Sequence, residues 1–108
     1  MATGTIISNN WTLVDTITVK GGTVTLPSNW TECLVVSTIG SDLTTLTIPV
    51  LRIDSGTQNR MVSAIWGANS ATSQRLIIQV TDTTATLIQY GVNASENYNA
   101  LTVKVYAR

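Results

Sequence analysis

The sequence contains no histidine and a single cysteine, and these two shortages exclude much of enzyme chemistry. Without histidine, the side chain that most often acts as a general base near neutral pH is missing. Cys33 alone cannot form an intramolecular disulfide, and it has no histidine with which to form a nucleophilic pair. Because Cys33 lies in the apolar run CLVV, we expect it to pack as a small hydrophobic side chain.

Six carboxylates are the remaining candidates for acid–base catalysis. They are Asp15, Glu32, Asp42, Asp54, Asp82 and Glu96. Sequence spacing does not exclude a close pair of the glycosidase type, but most of them fall in predicted turns or loops, where acidic residues are ordinary. The segment DSGTQN (54–59) offers several oxygen atoms but one carboxylate, fewer than a calcium loop normally carries. We therefore predict a non-enzymatic protein without a metal or another cofactor.

Charged residues are also scarce. They make up 11% of the chain, against about 25% in an average soluble protein, and the net charge is zero. A free monomer usually keeps a more charged surface, so we expect part of this surface to be covered by other copies of the chain. A surface of Thr, Ser and Asn is the alternative; the hydrophobic content of 44% favours the homo-oligomer. The six basic residues are scattered, which predicts no nucleic-acid binding.

No segment has the pattern of a signal peptide or of a membrane span. The first eleven residues, MATGTIISNNW, lack both a basic start and a long apolar core. No apolar run approaches the roughly 18 residues that a spanning helix needs. The expectation is a soluble protein made in the cytoplasm, without membrane insertion.

Helical periodicity is missing too, because no stretch keeps apolar residues at i, i+3, i+4 and i+7 over three turns. Threonine and the β-branched aliphatic residues dominate instead, which favours strands. The predicted strands are 11–20, 23–26, 32–39, 43–53, 60–66, 75–81, 84–90 and 100–107. Short strands at nearly regular spacing predict one all-β domain over residues 1–108, an antiparallel β-sandwich of about eight strands, jelly-roll-like. An immunoglobulin-like sandwich is the alternative, but its Cys…Trp…Cys spacing is absent.

Several strands carry more specific predictions. Gly21-Gly22 predicts a two-residue hairpin between the first two strands. The predicted apolar face of the first strand consists of Trp11, Leu13, Ile17 and Val19. The third strand is apolar on both faces, which indicates a central position, and Pro49 marks the fourth strand as an edge strand or a bulge.

Aromatic side chains are few and are the best candidates for a binding surface. They are Trp11, Trp30, Trp66, Tyr90, Tyr98 and Tyr106. Trp11 and Trp30 each follow an asparagine where a strand leaves a polar turn, so we predict that both cover one end of the core. For Trp66 and Tyr98 a core position and a ligand contact are both open, since amphipathic aromatic residues also serve at binding surfaces.

Strand order predicts where a ligand would bind. If neighbouring strands are antiparallel, the connections after the first, third, fifth and seventh strands share one end, opposite both chain termini. Binding residues concentrate on loops that a rigid scaffold positions. The predicted ligand-binding residues in and beside the two longest of these loops are Trp66, Asn69, Tyr90, Asn93, Tyr98 and Asn99.

Three segments carry a family resemblance: NNWTLV (9–14), LPSNWTECLVV (26–36) and the final strand LTVKVYAR (101–108). Their layout resembles the C-terminal domains of bacteriophage tail fibres and related virion appendage proteins, over most of the chain. The resemblance implies a virion protein with a β-sandwich head, often trimeric, that contacts host-surface glycans or other virion proteins. A typical fibre has a shaft before its head, and this sequence begins at Met1 without one. The resemblance assigns no individual functional residue.

Two functions therefore stand as hypotheses. One is a receptor-binding head, with a trimer expected from the low charge and from Tyr106 on the less apolar face of the last strand. The other is a purely structural virion protein, in a capsid decoration, fibre or baseplate, that contacts only other virion proteins.

Overall fold

The computed structural model describes residues 11–39, 44–53, 57–66, 74–91 and 102–108, and within these ranges the chain forms strands and no helix. The eight strands are β1 Thr12–Ile17, β2 Thr23–Thr25, β3 Glu32–Ile39, β4 Thr44–Leu51, β5 Asn59–Trp66, β6 Gln74–Thr81, β7 Thr84–Gly91 and β8 Val103–Ala107. All eight predicted strands are confirmed, and β1 ends at Ile17, three residues before its predicted end.

The strands form two four-stranded antiparallel sheets, in the orders β1-β8-β3-β4 (sheet A) and β2-β7-β6-β5 (sheet B). This arrangement confirms the eight-stranded sandwich. β1 pairs with β8 and β2 pairs with β7, so the first two strands lie beside the last two, one such pair in each sheet. The central position of β3 and the edge position of Pro49 in β4 are also confirmed.

The core lies between the two sheets and follows the two-residue period of the strands. Leu76, Ile78 and Val80 of β6 alternate inward, as do Val103 and Val105 of β8, and all five are fully buried. Burial of each such aliphatic side chain stabilises the fold by about 1.5–3 kcal/mol relative to exposure. The alternation therefore explains why these segments are strands and which face of each sheet points inward.

The glycine pair does not form the predicted two-residue hairpin, because β1 and β2 belong to different sheets. The Gly22 N–H donates to the Val19 carbonyl at 3.0 Å, and the Gly21 N–H donates to the Leu87 carbonyl of β7 at 2.8 Å. Glycine is needed at both positions: Gly21 has φ +83°, and a Cβ on Gly22 would lie 2.8 Å from Cγ2 of Ile17. The pair therefore carries the chain from one sheet to the other.

The predicted apolar face of β1 is wrong in part. A register shift between Leu13 and Asp15 inserts a β-bulge, which interrupts the two-residue alternation. As a result Leu13 is exposed, whereas Val14 packs against the core and Ile17 is buried. Val19 is exposed because it lies beyond the end of β1, in the turn that Gly22 closes. Trp11, just before β1, is partly buried.

The two ends of the sandwich differ in what they contain. One end, which we call the base, holds Trp11 and Arg108 side by side, together with the start of β3 and the β6–β7 turn at Asp82. Strands β1, β3, β5 and β7 run from the base towards the opposite end, which we call the tip. The predicted separation of the chain ends from the odd-numbered connections therefore agrees with the strand directions.

Candidate functional site

The strands that flank the predicted binding loops end at the tip. β5 and β6 form a hairpin ladder whose last pair at this end is Trp66 and Gln74, and β7 ends at Gly91. Of the predicted ligand-binding residues, four lie outside the described ranges: Asn69, Asn93, Tyr98 and Asn99. The structure places the backbone of Trp66 at the tip end of β5. The ligand-binding role of these five residues stays a prediction.

Tyr90 is the remaining predicted ligand-binding residue, and its side chain is buried near the tip end of the core. Its hydroxyl lies 3.1 Å from the hydroxyl of Ser37 on the facing sheet. Ser37 in turn donates to the carbonyl of Thr102 at 2.8 Å. These contacts join β7, β3 and the approach to β8 beneath the tip, so Tyr90 supports the end of the scaffold from inside. A direct ligand contact of Tyr90 stays a prediction.

Trp30 closes the core at the base, as predicted. Its side chain is only 2% exposed, and its indole N–H donates to the Asp82 carbonyl at 2.9 Å. The Arg52 guanidinium lies 5.0 Å from the indole ring centroid and forms an ion pair with Asp82 at 3.2 Å. The Asn29 residue before it adopts φ 61°, a left-handed conformation that asparagine tolerates better than most residues. This turn therefore sets Trp30 against the opposite sheet.

Trp11 has a different environment. The Arg108 guanidinium lies over its ring at 4.2 Å from the centroid, and Arg108 also pairs with Glu32 at 3.1 Å. The Arg108 carbonyl accepts hydrogen bonds from the backbone N–H groups of Thr31 and Glu32 at 2.7 and 3.0 Å. Trp11 thus covers the base from the sheet A side and helps to hold the last residue of the chain.

A groove of about 450 Å³ opens at the base. It is lined by Thr31, Leu51, Arg52, Ile53 and Arg60. Leu51 and Ile53 are exposed, and guanidinium groups could bind a carboxylate there. Both arginines already have partners, however: Arg52 binds Asp82, and Arg60 donates to the Leu51 carbonyl, although its buried Nε has no hydrogen-bond partner. The contacts favour a structural role over a ligand site. We call the group formed by Arg52, Gln58 and Asp82 the clamp.

Gln58 completes this clamp. Its side chain is buried and pairs with the backbone of Ile53 twice, accepting from the N–H at 2.9 Å and donating to the carbonyl at 2.8 Å. Its backbone N–H donates to the Asp82 carboxylate at 3.2 Å. Sequence reasoning placed Gln58 in a polar loop, because nothing in the local pattern indicates that three separate segments meet there.

The described residues include no group of three or more His, Cys, Asp or Glu side chains that could hold a metal ion. Cys33 is buried in the core, and burial raises the pKa of its thiol to about 11. The thiol therefore stays protonated and unreactive at neutral pH. Among the ranges described, no helix is long and apolar enough to cross a membrane.

No family model, no curated protein and no solved structure matches this chain.

Proposed function

We propose that this chain is a non-enzymatic head domain of a bacteriophage virion appendage, which binds a host-surface glycan or another receptor through its tip loops. The observation that carries the proposal is the strand direction: β5 and β7 lead to the tip, away from the base where Trp11 and Arg108 meet. Loops at the tip can therefore meet a ligand without disturbing the contacts that hold the base together.

The contacts at the two ends support the same division between a structural base and a binding tip. At the base, the side chains of Trp30, Arg52 and Gln58 are bound to the protein itself, which favours a structural role. At the tip, Tyr90 and Ser37 fix the ends of the strands from within the core. A rigid scaffold of this kind is what loops need in order to present aromatic and amide side chains to a sugar.

A second candidate function, a structural virion protein, is favoured by the outer face of sheet A. The strand registers place Leu13, Tyr106, Leu34 and Pro49 in one row across β1, β8, β3 and β4. Leu13 and Pro49 are exposed in this row, Tyr106 is partly exposed, and Leu34 is buried. Such a row suits a contact with other subunits, including the trimer that we propose for the head.

Binding of the labelled protein to an array of bacterial surface glycans and to a panel of bacterial cells tests the receptor function. We expect saturable binding to at least one glycan or cell type, which unlabelled protein competes away. A β-sandwich protein of similar size with no known sugar ligand serves as the control. Absence of saturable binding, combined with stable assembly in solution, would instead support the structural virion protein.

A further inference from the structure

Among the strands that the structure describes, three of the four at the sheet edges carry a feature that discourages pairing with another chain. β1 contains the bulge at Leu13–Asp15, β2 has only three residues, and β4 contains Pro49. Bulges, very short strands and prolines are the usual means by which proteins protect exposed sheet edges.

β5 is the exception. It has eight residues, no proline, and an uninterrupted register with β6. Within the described ranges no strand pairs with its other edge. Its single charged side chain, Arg60, donates to the Leu51 carbonyl near the base rather than standing free along the edge. Every second residue of such a strand directs its N–H and C=O groups away from the sheet, ready to pair.

The outer face of β5 is also apolar. Met61 and Ile65 are 60% and 62% exposed, and Ser63 between them is exposed as well. Large exposed hydrophobic residues on an unprotected strand mark a contact surface when they occur together.

We infer that two copies of this chain associate through antiparallel pairing of β5 with β5, so that sheet B continues from one copy into the other. The outer faces of the two copies lie on the same side of the joined sheet only when each residue pairs with one that is an even number of positions away in the sequence. When Ser63 lies on the two-fold axis, Met61 of each copy faces Ile65 of the other, and Val62 faces Ala64. Each exposed hydrophobic residue then gains a hydrophobic cross-strand neighbour from the other copy, which favours this register over the others.

Charge favours a second copy as the occupant. The chain has zero net charge, so two copies do not repel each other as a whole. In the proposed register the two Arg60 residues stand six residues apart along the paired strands, about 20 Å. At physiological ionic strength charges at that separation are largely screened. No like-charged side chains face each other across the axis.

Cysteine crosslinking tests this register in the full chain. In the variant Ser63→Cys the two introduced thiols face each other at a Cα separation of about 4.5–5.5 Å, which suits a disulfide. Native Cys33 is buried with a raised thiol pKa and does not compete. We expect the disulfide-linked dimer of Ser63→Cys to form at least tenfold faster than that of the control Thr47→Cys, whose position on β4 is exposed. Thermal melts verify that both variants are folded.

Two further variants test the pairing partners. Met61→Cys and Ile65→Cys should each crosslink slowly alone and rapidly when mixed, because each faces the other across the axis. Ser63→Lys places two like charges on the axis, so we expect it to halve the mass of the native assembly in light scattering. Equal crosslinking of Ser63→Cys and Thr47→Cys, or an unchanged mass in Ser63→Lys, would overturn the inference. Either result would leave the proposed tip binding unaffected, since that proposal rests on the tip connections and not on β5 pairing.

Discussion

Replacement of Trp30 by Ala is expected to lower the free energy of unfolding by roughly 3–5 kcal/mol. The side chain is almost fully buried at the base, so its removal leaves a large cavity between the sheets. It also removes the donor to the Asp82 carbonyl and the ring beneath the Arg52 guanidinium. A domain of this size has about 5–15 kcal/mol in total, so the variant should lose a large share of its stability.

Denaturant unfolding followed by circular dichroism measures this loss. Trp11→Ala is the matched control, because Trp11 is only partly buried at the same end of the molecule. We expect Trp11→Ala to lose about 1 kcal/mol, within the usual range for point substitutions. If Trp11→Ala proves as destabilising as Trp30→Ala, Trp30 is not the residue that closes the core.

The second large effect concerns binding. We expect Trp66→Ala to weaken binding to the glycan or cell ligand by roughly thirtyfold or more, as loss of an aromatic hot spot does. The residue ends β5 at the tip, directly before the connection 67–73. Stability should fall much less than in Trp30→Ala, because the tip position is proposed to serve the ligand rather than the core.

Titration of the labelled variants on the same glycan or cells measures the change in Kd, and thermal melts accompany it. Trp11→Ala is again the control: an aromatic residue is removed from the base, and binding should be unchanged. A Trp66→Ala variant that unfolds, beside a Trp30→Ala variant that stays intact, would reverse the roles assigned to the two tryptophans.

The strands could be predicted because their signal is local. In β6 and β8 large aliphatic residues alternate with polar ones along the strand, and burial follows that alternation directly. The Gly21-Gly22 turn was misjudged for the opposite reason. Glycine chemistry predicts that the chain turns there, but whether β1 pairs with β2 or with β8 depends on residues near the far end of the sequence.

The residues of the candidate site also divide into those with a local sequence signal and those whose contacts form only in the folded chain. Trp30 was predicted as a core residue because it follows an asparagine where a strand leaves a polar turn. The clamp of Arg52, Gln58 and Asp82 was not, since it forms only when the ends of β4 and β5 meet the β6–β7 turn. Tyr90 was placed in the tip site because it lies beside a long loop. A register shift opposite Ile77 and Ile78 breaks the alternation of β7 after Leu87, so Tyr90 pairs with the buried Leu76 and its side chain is buried as well.

Hydrogen exchange, measured by mass spectrometry with and without a glycan identified by the array, tests the central claim most directly. The claim is that the tip binds and the base holds the fold. We expect ligand-dependent protection in peptides covering 67–73 and 92–101, and no change in peptides covering 29–33 and 50–53 at the base. Protection confined to the base peptides, with the two tip connections unchanged, would contradict it.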